Sequence, residues 1–148
     1  MLKGLLKTSD SVVDALLRLT LAAVFFPHGA QKVLGWFGGH GLVGTWGFFT
    51  WKMGIPPFLV ALVFMAEFLG PIGLFFGFLT RVAAFGIFCV MATAAAMVHF
   101  KFGFFMNWSG AMPAGQEGFE YHLLALGLCL AVMARGAGAF SIDRALSK

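Results

Sequence analysis

The sequence predicts an all-α membrane protein, a bundle of four transmembrane helices with a short interfacial helix in its first outer loop. Three observations predict it. The 148 residues are 60% hydrophobic and 11% charged, where soluble domains carry roughly 25% charged residues. Mean hydropathy is +0.91, and the 19 phenylalanines suit a surface that faces lipid. Four apolar segments can be drawn, each close to the ~20 residues that cross ~30 Å of hydrocarbon. The length fits a single integral membrane domain, residues 1–148.

The first span runs from about residue 12 to 35. Lys3 and Lys7 precede it, which partly imitates a signal peptide. Asp14 and Arg18 intervene and no small-x-small cleavage site follows, so the segment is expected to stay as a membrane helix. The next stretch, GWFGGHGLVGTWGFFTWKMGIPP, is glycine-rich and aromatic. Leu42, Trp46 and Phe49 recur in it at helical spacing. This predicts a short helix in the headgroup region, acting either as an anchor or as a lid over a site open to the outer leaflet.

The second span covers about 57–79 and the third about 82–100, with LTR as a tight link between them. KFGFFMNWSGAMPAGQEG leads into the fourth span, about 119–135. In the tail, ARGAGAFSIDRALSK, glycines stop the last span and Ser141 is placed to cap a short surface helix.

Lys and Arg placement orients the bundle. With four spans, Lys3, Lys7, Arg18, Arg81, Arg135, Arg144 and Lys148 share one side and Lys32, Lys52 and Lys101 the other. Seven against three predicts cytoplasmic termini by the positive-inside rule. The net charge of +4 comes without a basic run, so nucleic acid is not an expected partner. Cys89 and Cys129 sit in apolar runs outside any C-x-x-C pair and are expected to be small packing residues.

Ionisable residues inside the spans cost a few kcal/mol or more each unless paired or hydrated. Asp14 and Arg18 stand four residues apart, spaced to pair along the helix or to let Arg18 snorkel. His28 and Lys32 have the same spacing near the outer end, beside Pro27, whose missing amide disturbs the turn. Glu67 lies about ten residues past Pro57, which at ~1.5 Å per residue puts it near the midplane. Pro71 leaves the Glu67 carbonyl without its usual amide, and Gly70, Gly73 and Gly77 form a stripe that would admit a neighbouring helix. His99 shares a small-residue face with Ala92, Ala95 and Ala96. Glu120, Tyr121 and His122 open the fourth span, where Glu120 also complements the helix dipole. His122 continues inward through Ala125 and Cys129. Folded as four spans, these groups are expected to converge on a polar pocket in the outer half, with Glu67 beneath.

Four segments in order, RLTLAAVFFPHGAQKVLG, AEFLGPIGLFFGFLTR, AAAMVHF and GFEYHLLALGLCLAVMARGAGAFSID, resemble the DoxX family of small bacterial membrane proteins. The resemblance implies a four-helix integral membrane protein with a link to redox chemistry. The family takes its name from a subunit of a thiosulfate:quinone oxidoreductase, and other members resemble partners of thiol or oxidative-stress enzymes. It puts His28, Lys32, Glu67, His99 and Glu120 forward as site residues. Tyr121, His122 and Trp46 join them from local sequence position.

Four functions compete. The first is a quinone-associated, thiol- or thiosulfate-linked redox subunit. Glu67, His28, Lys32 and His99 would then carry the chemistry, Glu120, Tyr121, His122 and Trp46 would bind the ligand, and quinone would be the cofactor. Electrons would come from a soluble or membrane redox partner, because no haem-binding pair, flavin fingerprint or cysteine cluster is evident. The second is a non-enzymatic, proton-coupled carrier. The third is a metal site, disfavoured because no H-x-x-H or E-x-x-H spacing occurs within a helix. The fourth is a membrane anchor for a soluble redox enzyme, docked through Arg135, Asp143 and Arg144. The lipid bilayer is a partner in each, and a homo-oligomer is compatible with all four.

Overall fold

A computed structural model describes residues 2–147, with side chains from Gly4 onward. Met1, Lys148 and the Lys3 side chain, two of which enter the charge count above, lie outside the described residues. Among the described residues every regular element is helical: α1 (Leu2–Leu6), α2 (Val12–Val33), α3 (Gly41–Gly47), α4 (Pro57–Phe76), α5 (Thr80–Phe102), α6 (Glu120–Arg135) and α7 (Ile142–Leu146). Three of them, α2, α4 and α5, are long and apolar enough to cross a membrane. The predicted fourth span appears as the 16-residue α6, shorter than the ~20 residues that cover the hydrocarbon core.

Local chemistry sets the helix ends. Ser11 holds extended backbone and its hydroxyl accepts the Asp14 amide, which starts α2. Pro57 begins α4, where its missing amide costs nothing. Gly77 ends α4 in left-handed conformation at φ +66°, and a Cβ there would lie 2.4 Å from Ser141 Cβ.

Two of the long helices are interrupted by a π turn, at Met65–Leu69 in α4 and Ala95–His99 in α5. Pro71 gives the first a physical reason. It cannot donate back to Glu67, so an α-type ladder fails there and a wider turn takes up the residue. Gly70 N–H bonds Met65 O instead.

The core lies where α2, α4, α5 and α6 meet and includes Leu21, Phe25, Leu74, Ile87, Met91, Ala125, Cys129 and Val132. Cys129 is fully buried, as expected for a packing residue; Cys89 differs in pointing outward. The tightest helix crossing involves Gly29 of α2, whose Cβ would lie 1.9 Å from the Glu67 carbonyl oxygen. The anticipated stripe of Gly70, Gly73 and Gly77 is not that crossing: the nearest atoms to a Cβ on Gly70 are 3.8 Å away, an ordinary contact.

The segments before α2 and after α6 pack together at one end of the bundle, where the charged residues pair differently from expectation. Asp14 does not pair with Arg18. Its carboxylate accepts Arg135 Nε at 3.0 Å and Ser9 Oγ at 2.7 Å. Arg18, 1% exposed, donates to the carbonyls of Leu74, Phe75, Ala137, Ala139 and Phe140 at 2.7–3.1 Å. Those carbonyls come from the last turn of α4 and from the irregular tail, so the guanidinium satisfies groups that no helix can.

Asp143 is buried rather than offered to a docking partner, and its carboxylate accepts the Leu79 and Thr80 amides at 2.8 and 2.9 Å. That cap moves the link between α4 and α5 to Gly77–Leu79 and draws Thr80 and Arg81 into the helix. Ser141 accepts the Arg144 amide and begins α7, as its position predicts.

Candidate functional site

The opposite end of the bundle carries the polar cluster. Glu67 sits in the π turn of α4, 3% exposed, and its Oε2 forms an ion pair with Lys32 Nζ of α2. The Lys32 side chain is 25% exposed, so the pair is buried on the carboxylate side and reachable on the ammonium side. Gly29 is one turn before Lys32. Backbone contact at Gly29 is what brings α2 near enough for a lysine to reach a carboxylate in the next helix.

His28 does not turn into the bundle as expected. It is exposed, at the flank of the cluster, with its ring 6.4 Å from that of Phe25. Residues 28 and 32 are a turn apart with about 40° between them around the axis, so Lys32 meets α4 while His28 remains outside the crossing. Phe25 also lies 6.4 Å from Tyr121 of α6.

The second half of the cluster joins α5 and α6. His99 and His122 have ring centroids 4.1 Å apart. His99 Nδ1 lies 2.7 Å from the Glu117 carbonyl oxygen. A carbonyl only accepts, so Nδ1 carries a proton and the neutral ring keeps its lone pair on Nε2. His122 is 6% exposed and heads the buried row His122, Ala125, Cys129. The π turn at Ala95–His99 shifts the register of α5, which leaves Ala96 exposed although Ala95 is buried. The expected continuous face from Ala92 to His99 is therefore broken.

Three buried polar atoms here have no hydrogen-bond partner: Glu67 Oε2, which has the Lys32 ammonium as its ion-pair partner, the Tyr121 hydroxyl and His122 Nδ1. Each of the last two costs about 1–3 kcal/mol if left dry.

Glu120 faces away from this cluster. Its carboxylate accepts the Met106 amide at 3.1 Å and Trp108 Nε1 at 3.4 Å, which ties the α5–α6 loop to the start of α6. Trp46, on α3, rests on Phe64 with centroids 6.1 Å apart, one turn before Glu67. It therefore touches α4 one turn before Glu67. Among the described residues, no group of three or more His, Cys, Asp or Glu side chains is arranged to hold a metal ion.

An apolar groove lies elsewhere. Leu19, Ala22, Phe26, Pro71, Ile72 and Phe75 line a space of about 580 Å³ between α2 and α4. Its α2 residues project from the side of the helix opposite His28.

The Lys32–Glu67 pair thus sets a buried carboxylate against a partly exposed ammonium between two helices. The family model described as DoxX matches residues 13–100. The chain belongs to the DoxX family. The match takes in α2, α4 and nearly all of α5, and with them His28, Gly29, Lys32, Glu67 and His99; Tyr121 and His122 lie beyond it. The chain is also 29% identical over 143 residues to the inner membrane protein YqjF of Escherichia coli (strain K12), covering 97% of this chain and 98% of that protein. No solved structure matches the chain. As a DoxX family member it is a membrane protein.

Of the residues expected to converge, Lys32 is brought to Glu67 and His99 to His122. The close crossing at Gly29, inside the RLTLAAVFFPHGAQKVLG segment, was not expected, although its lack of a side chain was the available signal. Phe25 was not expected at the site either, because an apolar residue within an apolar helix carries no mark of its neighbours.

Proposed function

We propose that this DoxX protein spans a bacterial inner membrane four times, with both termini cytoplasmic, and serves as the quinone-binding subunit of a membrane redox system. The observation that carries the reading is the Lys32–Glu67 pair, held between two helices and open on its lysine side next to an exposed histidine. Lys32 and His28 supply donors for quinone carbonyl oxygens. Glu67 keeps the ammonium in place and is a station for protons. Trp46 and α3 lie at the interface and shield the carboxylate from water.

The topology has its own support. Thr8 Oγ1 accepts the Gly138 amide at 2.7 Å and Ser11 O accepts the Ala139 amide at 3.0 Å. The two ends of the chain thus meet at one end of the bundle, as an even number of crossings requires. The Lys and Arg balance favours the cytoplasm for that end. YqjF is named an inner membrane protein, which supports the same location here.

Two electrons and two protons convert a quinone to a quinol. Electrons come from a thiol or thiosulfate donor, delivered by a partner enzyme docked on the membrane. The test is quinone reduction by purified protein with its co-purifying partner and either donor. Wild type is expected to turn over and Glu67→Gln to lose most of the rate with its fold intact. Equal rates in the two proteins would remove the reading.

A further inference from the structure

Helix α6 is short for the crossing assigned to it. Its 16 residues rise about 24 Å at ~1.5 Å each, against ~30 Å of hydrocarbon. Arg135 closes one end of it against Asp14, so the shortfall lies at the other end, where Glu120 begins the helix. The preceding loop folds back against that end. The Gly118, Phe119 and Glu120 amides donate to the carbonyls of Phe105, Gly103 and Phe104 at 2.9–3.1 Å. The Glu120 carboxylate holds the same segment through the Met106 amide and the Trp108 indole. Asn107 closes the next turn, its side chain bonding both the amide and the carbonyl of Met112. Much of the loop backbone is thus paired within the loop, while its large side chains stay open: Phe105 is 75% and Trp108 81% exposed. No charged residue stands between Lys101 and Glu117 in the sequence.

We propose that this loop is a lipid-seated wedge, in which Phe104, Phe105 and Trp108 enter the boundary between headgroups and acyl chains and complete the crossing that α6 leaves short. The wedge rests on the four-crossing reading and needs no quinone. Lipid, rather than a water-soluble protein, is its partner for three reasons. A loop pinned beside the first turn of a helix this short lies at the level where hydrocarbon gives way to headgroups, so lipid is what surrounds it. Irregular backbone enters that layer at low cost only where its amides and carbonyls are paired, and the Glu120 carboxylate and Asn107 supply that pairing. An indole with its N–H held and its ring free is the kind of group enriched at this depth. Lys101 sits at the start of the loop with its ammonium 4.8 Å from the Phe102 ring centroid, exposed and long enough to reach headgroups. The tip, SGAMPAGQ, has no aromatic residue and stays on the water side. The same loop carries the Glu117 carbonyl that holds His99, so seating it in lipid fixes one ring of the His99–His122 stack.

The test is fluorine NMR of the full-length protein in lipid nanodiscs, grown with fluorotryptophan so that each of its four tryptophans reports. Trp108→Phe assigns the Trp108 signal by its loss. A nitroxide on the upper acyl chain of the lipid broadens signals in the bilayer, and a soluble gadolinium chelate broadens those in water. The Trp108 signal is expected to be broadened several-fold more by the nitroxide than by the chelate. Glu120→Ala, which frees the Met106 amide and the indole, is expected to reverse that ratio, and an unchanged ratio would overturn the carboxylate's part in seating the loop. Leu124→Trp, at a 72% exposed position on α6, adds a signal that reports whether the helix itself lies in lipid. A Trp108 signal broadened by the chelate, with the added signal broadened by the nitroxide, would overturn the wedge and leave the crossing standing. Both signals broadened by the chelate would remove the crossing and the wedge with it.

Discussion

The Glu67 carbonyl oxygen stands 1.9 Å from where a Cβ on Gly29 would lie, so α2 and α4 cross backbone against backbone at the residue whose side chain pairs with Lys32. Scaffold and site are one feature here. Gly29→Ala must push the helices apart by more than an ångström, which at typical overpacking costs of about 1–3 kcal/mol lowers the thermal midpoint in detergent by several degrees. The same displacement moves Lys32 from Glu67, so ligand binding is expected to fall with it. Gly70→Ala, whose nearest neighbours are 3.8 Å away, is the control and is expected to change little.

The pair itself is accessible to a double-mutant cycle. Lys32→Met leaves a carboxylate buried among apolar groups, and Glu67→Gln leaves an ammonium that is partly wet. The first is expected to cost more, about 2–4 kcal/mol, and the double variant less than the sum of the two. Chemical denaturation in mixed micelles gives the four stabilities. Additive effects would mean that the two residues do not interact.

At the terminal end, Arg18 satisfies five carbonyls from two segments. Lysine has three donors on one point and cannot fork between them. Arg18→Lys is expected to destabilise by about 2 kcal/mol or more through carbonyls left unmet. Limited proteolysis should then cut the tail after Arg135 first.

Asp143 caps α5 from a distance of more than sixty residues in sequence. Asp143→Ala is expected to lose about 1 kcal/mol, and Asp143→Asn, which still accepts, to recover part of it. Amide exchange at Leu79 and Thr80 reports the cap directly.

The element pattern was readable because long apolar runs separated by glycine and proline leave few alternatives. All four predicted spans have a helix over them, with ends displaced by up to three residues. The displacement between α4 and α5 originates in a distant cap. Thr80 and Arg81 read as linker until the Asp143 carboxylate arrives from the tail, and nothing near residue 80 announces it. The charged residues were readable as costly positions, but at the terminal end not as pairs. Asp14 finds Arg135 rather than Arg18, because two helices bring those groups closer than one turn of α2 does. His28 and Lys32 looked equivalent at i,i+4, yet the rotation between them leaves one exposed and one against Glu67. The π turns at Glu67 and His99 were out of reach for period-3.6 reasoning, which assumes the register they break.

The central claim is that the Lys32–Glu67 pair receives a quinone headgroup. Photo-crosslinking with an azido-quinone, followed by peptide mapping, tests it most directly. Adducts are expected on the α2 segment around His28 and Lys32 and on the α4 segment around Glu67, competed away by unlabelled quinone and lost in Glu67→Gln. Adducts confined to the apolar groove of Leu19, Phe26 and Phe75, and unchanged in that variant, would contradict it.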